Sequence, residues 1–228
     1  MAGPKYGEGW QQNKTLSKKE QTLIEEIANS VTHGIGLLLS VAGLVILVVL
    51  ASKYGDIRRV ACFSIYGSTL VILYAASTLY HSFPLGRTKN IFRIIDHSAI
   101  YILIAGSYTP FALISLRGAW GWALFGVIWA LALTGIVFKV FFVKRFFVVS
   151  TIIYLMMGWL AVIAVRPFIN SIPFKGLVWL IAGGLFYSLG VIFHIFHKLP
   201  FNHTIWHLFV LAGSICHYFA ILFYVLPM

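Results

Sequence analysis

A chain of 228 residues that is 60% hydrophobic and only 10% charged cannot be an ordinary water-soluble domain, where those fractions run near about 50% and 25%. Its formal net charge of +11 invites a nucleic-acid reading. In so apolar a chain, however, Lys and Arg mark loops beside anionic lipid, and no nucleic-acid partner is expected.

The first thirty or so positions are polar and lack the apolar core and small-residue cleavage site of a secretory signal, so the first span is expected to act as its own insertion signal. Within them, Leu23, Ile24, Ile27 and Val31 recur at helical spacing opposite Glu20, Glu25 and Glu26. This pattern predicts a short amphipathic helix along the inner membrane face or capping the bundle from below. Apolar runs cut by charges, Pro and Gly then predict spans at about 34–52, 60–82, 94–114, 119–140, 146–165, 175–196 and 205–226. No alternating strand pattern is present, so the fold class is all-α: a polytopic membrane protein built as a seven-transmembrane-helix bundle. The expected organisation is a tail over residues 1–32 and a transmembrane domain over 33–228. Loops on the N-terminal side hold eleven Lys and Arg and those opposite hold six, which predicts a cytoplasmic N-terminus and a multi-pass protein of the plasma membrane.

Spans two and six end, and spans three and seven begin, on the side where the chain starts. His81 closes span two, Asp96 opens span three, and His203 and His207 open span seven. Spacing of four puts His203 and His207 on one helix face, and Ser77 shares a face with His81 for the same reason. Two imidazoles from one helix and a third from another suit zinc, leaving a fourth position for water whose pKa falls to about 7. Imidazole also suits copper, nickel and iron. Asp96 is the only acidic residue between Asp56 and the C-terminus, and a carboxylate there costs roughly 2.5 to 3.5 kcal/mol without a partner. It is expected to act as general base to the water, or alternatively to orient a histidine.

The other histidines are expected elsewhere. His194 and His197 read as interfacial or loop residues, His33 as the opening of span one, and His97 as pointing about 100° away from Asp96. His217 lies about 15 Å deeper than His207 and is expected to hydrogen-bond within the bundle. Cys62 and Cys216 read as packing residues. The glycines Gly34, Gly36, Gly106, Gly183, Gly184 and Gly213 are expected to permit close helix approach, Pro110 to kink span three, and the tryptophans chiefly to anchor the membrane interfaces.

Four ordered motifs closely resemble the bacterial hemolysin III proteins, the prokaryotic branch of the progestin and adiponectin receptor (PAQR) family. They are Glu26-Ile-Ala-Asn29-Ser-Val-Thr32-His33-Gly34, Ser77-Thr-Leu-Tyr-His81, the stretch from Asp96 to Pro110, and His203-Thr-Ile-Trp-His207 with its continuation to His217. The resemblance implies seven helices, a cytoplasmic N-terminus and an inner-side zinc on His81, His203 and His207, with Asp96 and Ser77 beside it as catalytic residues. It further implies hydrolysis of lipid amides, a membrane lipid as substrate or ligand, and a part in membrane-lipid homeostasis. A non-enzymatic sensor of bilayer state with a structural zinc is the alternative. A lytic pore is disfavoured by the apolar mid-span residues.

Overall fold

A computed structural model of the chain describes residues 22–142, 145–196 and 199–226. The tail residues Lys5, Lys14, Lys18, Lys19 and Glu20, and the loop residues Lys144, His197 and Lys198, lie outside these. Seven helical spans are long and apolar enough to cross a membrane, and no strand occurs among the described residues. Their outer surfaces expose Leu38, Val49, Val137, Ile152, Ile163 and Ile181, side chains that lipid solvates and water does not.

The first helix, α1 (Leu23–Tyr54), starts well before the expected residue 34. Its start is fixed by a capping box: the Glu25 carboxylate accepts from the Thr22 backbone N–H at 2.8 Å while the Thr22 hydroxyl accepts from the Glu25 N–H at 3.3 Å. The amphipathic stretch is therefore the opening of α1 rather than a separate surface helix. Leu23, Ile24, Ile27 and Val31 point outward, whereas Glu25, Asn29 and His33 are buried against the other helices. The polar stripe, not the apolar one, faces the bundle.

Asp56 caps α2 (Ile57–Ser82), its carboxylate accepting from the Arg59 N–H at 2.8 Å and pairing with the Arg59 guanidinium at 2.7 Å. Those bonds, the backbone one foremost, hold this loop carboxyl below its ordinary pKa. Helix α3 (Arg87–Pro110) does not stop at its proline; Phe111–Leu116 continue as a widened π-type turn. Pro110 has no N–H to donate back to the Gly106 carbonyl, and the helix widens directly after it. The chain reverses through Arg117 and Gly118, both at φ 55°, into α4 (Gly118–Phe142).

The fifth span is broken. α5 (Phe147–Gly158) gives way to a 3₁₀ stretch, Leu160–Ala164, before α6 (Val165–Ser171). Pro167 explains part of this, since it cannot donate to Ile163 and its ring crowds that carbonyl. The exposed backbone groups find one partner on α3: the Tyr108 hydroxyl donates to the Gly158 carbonyl at 2.7 Å and accepts from the Ala161 N–H at 2.9 Å. Irregular backbone at membrane depth is tolerated when its polar groups are satisfied in this way. Finally α7 (Phe174–Ile195) and α8 (Asn202–Tyr224) form an antiparallel pair. α1 packs on α2 and α8, α3 on α2 and α4, and α5 reaches both α3 and α7.

Close approach depends on glycine where expected at Gly106 and Gly183: a Cβ there would sit 2.2 Å from Thr69 Oγ1 and 2.2 Å from the His217 ring. Gly34 has more room, with its nearest neighbour at 3.8 Å. His217 donates to the Leu180 carbonyl at 3.3 Å, as expected for a residue bonded inside the bundle. Cys62 and Cys216 are buried and free.

Replacing Tyr108 by Phe should leave the Gly158 carbonyl and Ala161 N–H unsatisfied and destabilise the protein by about 1–3 kcal/mol, read as a lowered melting temperature in micelles. Asp56→Ala should remove a cap worth about 0.5–2 kcal/mol at neutral pH. Because the folded carboxyl is depressed, that contribution is present above the ordinary carboxyl range near about pH 4 and is lost as pH falls through the lower folded value. The stability gap between wild type and variant should therefore narrow on acidification.

Candidate metal centre

Where α1 begins, α2 and α7 end and α3 and α8 begin, their histidines crowd together. His81 is the penultimate residue of α2, and His203 and His207 occupy the first two turns of α8. One ring nitrogen from each of the three lies within 4.8 Å of the others. The ring centroids are separated by 5.1 Å (His81–His203), 5.0 Å (His81–His207) and 4.6 Å (His203–His207). His81 and His207 are buried, His203 partly so. This trio could hold a metal ion.

The second ring nitrogen of each buried histidine sets which atom faces inward. Glu26 of α1 accepts from His81 Nδ1 at 2.7 Å, so that nitrogen carries a proton and Nε2 is the ring atom left to serve as a ligand. His81 Nε2 is buried with no hydrogen-bond partner among the described residues, as a ligand atom awaiting a cation would be. The Asn29 carbonyl accepts from His207 Nδ1 at 3.3 Å and fixes that ring in the same tautomer. The other oxygen of Glu26 pairs with Lys89 at 3.0 Å, and the Lys89 ammonium also donates to the carbonyls of Tyr80 and Phe83 at the end of α2. Thr204 donates to the Asn29 side-chain oxygen at 2.6 Å, and the His33 ring lies flat on His207 at 3.5 Å. A set of three convergent imidazole nitrogens, two of them oriented by hydrogen bonds at the far side of the ring, fits a divalent metal.

Beside the trio opens a cavity of about 560 Å³, lined by His203 and His207 at one end and by apolar residues of α3, α5, α6 and α7 along its length. Ser77 and Asp96 lie on its wall. Ser77 is fully buried, its hydroxyl without a hydrogen-bond partner among the described residues. Asp96, also buried, accepts from His97 Nδ1 at 3.3 Å.

Residues 21–218 match the family model described as Haemolysin-III related. The chain belongs to the haemolysin-III family. It is 51% identical to Hemolysin-3 of Bacillus cereus over 212 residues, 93% of this chain and 97% of that one. It is 53% identical to the Hemolysin-3 homolog of Bacillus subtilis (strain 168) over 89% of this chain and 95% of its relative. Identity to the human monocyte to macrophage differentiation factor is 31%, over 88% and 84% of the two chains. The distance to the human protein fits the placement of haemolysin-III proteins as the bacterial branch of the PAQR family.

Several readings of single residues change in this haemolysin-III structure. His194 is not interfacial: it is buried on the cavity wall, 5.6 Å from His203 and 4.8 Å from Trp206 between ring centroids, because the end of α7 packs on the start of α8. His33 lies well inside α1 rather than at its opening, since the helix starts at Leu23. His97 bonds to Asp96 instead of diverging from it. Lys139, one of the eleven Lys and Arg assigned to loops on the N-terminal side, is 1% exposed and faces the bundle. Glu26, Asn29, Lys89 and Thr204 were missed as parts of the centre. For Glu26 and Asn29 the signal was present: Glu25, Asn29 and His33 at spacings of four form a polar stripe along the start of α1, with Glu26 at its edge.

Glu26→Gln, which keeps the shape but loses the carboxylate that receives the His81 N–H, should weaken metal binding by about 10–100-fold in a chelator competition. His207→Ala should abolish stoichiometric binding in the same assay.

Proposed function

We propose that this haemolysin-III protein is a zinc-dependent hydrolase of lipid amides or esters, with its site on the cytoplasmic side of the plasma membrane and a role in membrane-lipid homeostasis. The observation that carries the reading is the meeting of three convergent imidazoles with a buried carboxylate and a buried hydroxyl at one end of a long apolar cavity. His81, His203 and His207 would hold the ion. Zinc, when bound, supplies a Lewis acid that polarises a carbonyl and brings the pKa of water to about 7.

The chain's own residues do the rest. The apolar walls between α3, α5 and α7 receive the acyl chain and exclude water from it. Asp96 accepts the proton of the attacking water as the C–N or C–O bond is hydrolysed, and passes it to the leaving amine or alcohol. Its bond from His97 orients the carboxylate. The Ser77 hydroxyl, one helical turn before His81, is a hydrogen-bond donor for the scissile carbonyl. Orientation rests on the excess of Lys and Arg in loops on the N-terminal side.

A metal that only ties α2 to α8, as in a sensor of bilayer state, is favoured by one observation: His81 and His207 are nearly closed off from solvent. Asp96→Asn separates the readings. For a hydrolase it should leave the metal content of purified protein unchanged and lower kcat on lipid amides or esters by about 10²–10⁴-fold, measured as fatty acid released. Zinc-loaded protein that releases no fatty acid from a broad set of such lipids would overturn the enzymatic reading.

A further inference from the structure

The proposed chemistry leaves one buried charge without a task. Lys139 lies in the last turn of α4 and is 1% exposed, so it does not reach out of the bundle toward lipid headgroups as a lysine near a span end ordinarily does. Its place follows from the helix packing. Gly135, one turn earlier on the same face, lies so close to Tyr101 of α3 that a Cβ would sit 2.3 Å from the ring. The two helices run in opposite directions, so one turn further along α4 meets one turn earlier along α3, at His97 and its neighbour Asp96. From the other side Tyr154 of α5 brings its ring to 5.7 Å from the ammonium and donates its hydroxyl to the His97 carbonyl at 2.9 Å. Lys139, Asp96, His97, Thr151 and Tyr154 all line the same cavity as His203 and His207.

We infer that Lys139 forms a binding subsite for a lipid-borne oxyanion, a phosphate or carboxylate attached to the chain that occupies the cavity. A cation inside a membrane bundle is costly and marks substrate or ion sites when it faces a cavity. An ammonium offers three donors to an anion, and such charge-assisted bonds are roughly twice as strong as neutral ones. The inference rests on the lipid-hydrolase reading only in taking lipid to be what fills the cavity. It narrows the substrates to lipids carrying a negative group near the scissile bond.

Binding without turnover tests it. Purified full-length protein in maltoside micelles, stripped of metal so that no ion can attract the anion, is loaded with a dansyl-labelled acyl probe. The probe is then displaced by oleate, oleoyl-lysophosphatidate or uncharged monoolein. At least one anionic lipid should displace it at about tenfold lower concentration than monoolein. Lys139→Met should erase that preference and Lys139→Arg should keep it. A stronger effect of lysophosphatidate assigns the subsite to a headgroup phosphate, and a stronger effect of oleate assigns it to a carboxylate. Equal displacement by all three lipids in the wild type overturns the inference even if Lys139→Met fails to fold, and so does a preference that survives in a folded Lys139→Met. Because the assay needs neither metal nor hydrolysis, its failure is separate from a failure of the hydrolase reading.

Discussion

The half-buried carboxylate of Glu26 is the constraint on which the centre depends. A negative charge inside a helical bundle is tolerable only when matched, and Glu26 is matched twice, by the His81 N–H on one oxygen and the Lys89 ammonium on the other. One side chain thereby joins α1 to the end of α2 and to the start of α3. It also decides the tautomer of His81, and so which nitrogen is left for a cation. Asn29, one turn along the same face of α1, does the equivalent for His207 through its backbone carbonyl while its side chain receives Thr204. α1 supplies none of the three convergent nitrogens, yet it aims two of them.

Some of this was legible in the residues and some was not. Seven spans follow from run length and composition, which is the most dependable signal in a membrane chain because the backbone has few options in hydrocarbon. The convergence of His81 with His203 and His207 follows from counting helix directions. The start of α1 was misplaced because apolarity marks where a helix can sit in lipid, not where it begins. The capping box of Thr22 and Glu25 carries it beyond the apolar run. The same error hid Glu26 and Asn29, since an amphipathic pattern does not say which face is turned inward. Lys139 was misread for a related reason: near a span end, burial depends on the neighbouring helix, here on how closely Gly135 lets α4 approach α3. The break in the fifth span left only Gly158 and Pro167 as signs, neither sufficient alone.

The centre and the cavity are built by different parts of the bundle. α1, α2 and α8 pack closely and hold the imidazoles, with hydrogen bonds running between all three helices. α5 and α6 fit more loosely against α3 and α7, and the space left between them is the cavity. Rigid orientation at one end and loose packing at the other suit the proposed hydrolase, which would position a reacting group while accommodating a flexible chain.

The Tyr108 hydroxyl has a consequence for that accommodation. By receiving the Ala161 amide and capping the Gly158 carbonyl, it satisfies two dipoles of a broken helix on the wall of the cavity. On the lipid-hydrolase proposal, a methylene tail passing Trp159 and Val162 would meet ring faces and alkyl groups there instead of the Gly158 carbonyl and the Ala161 amide.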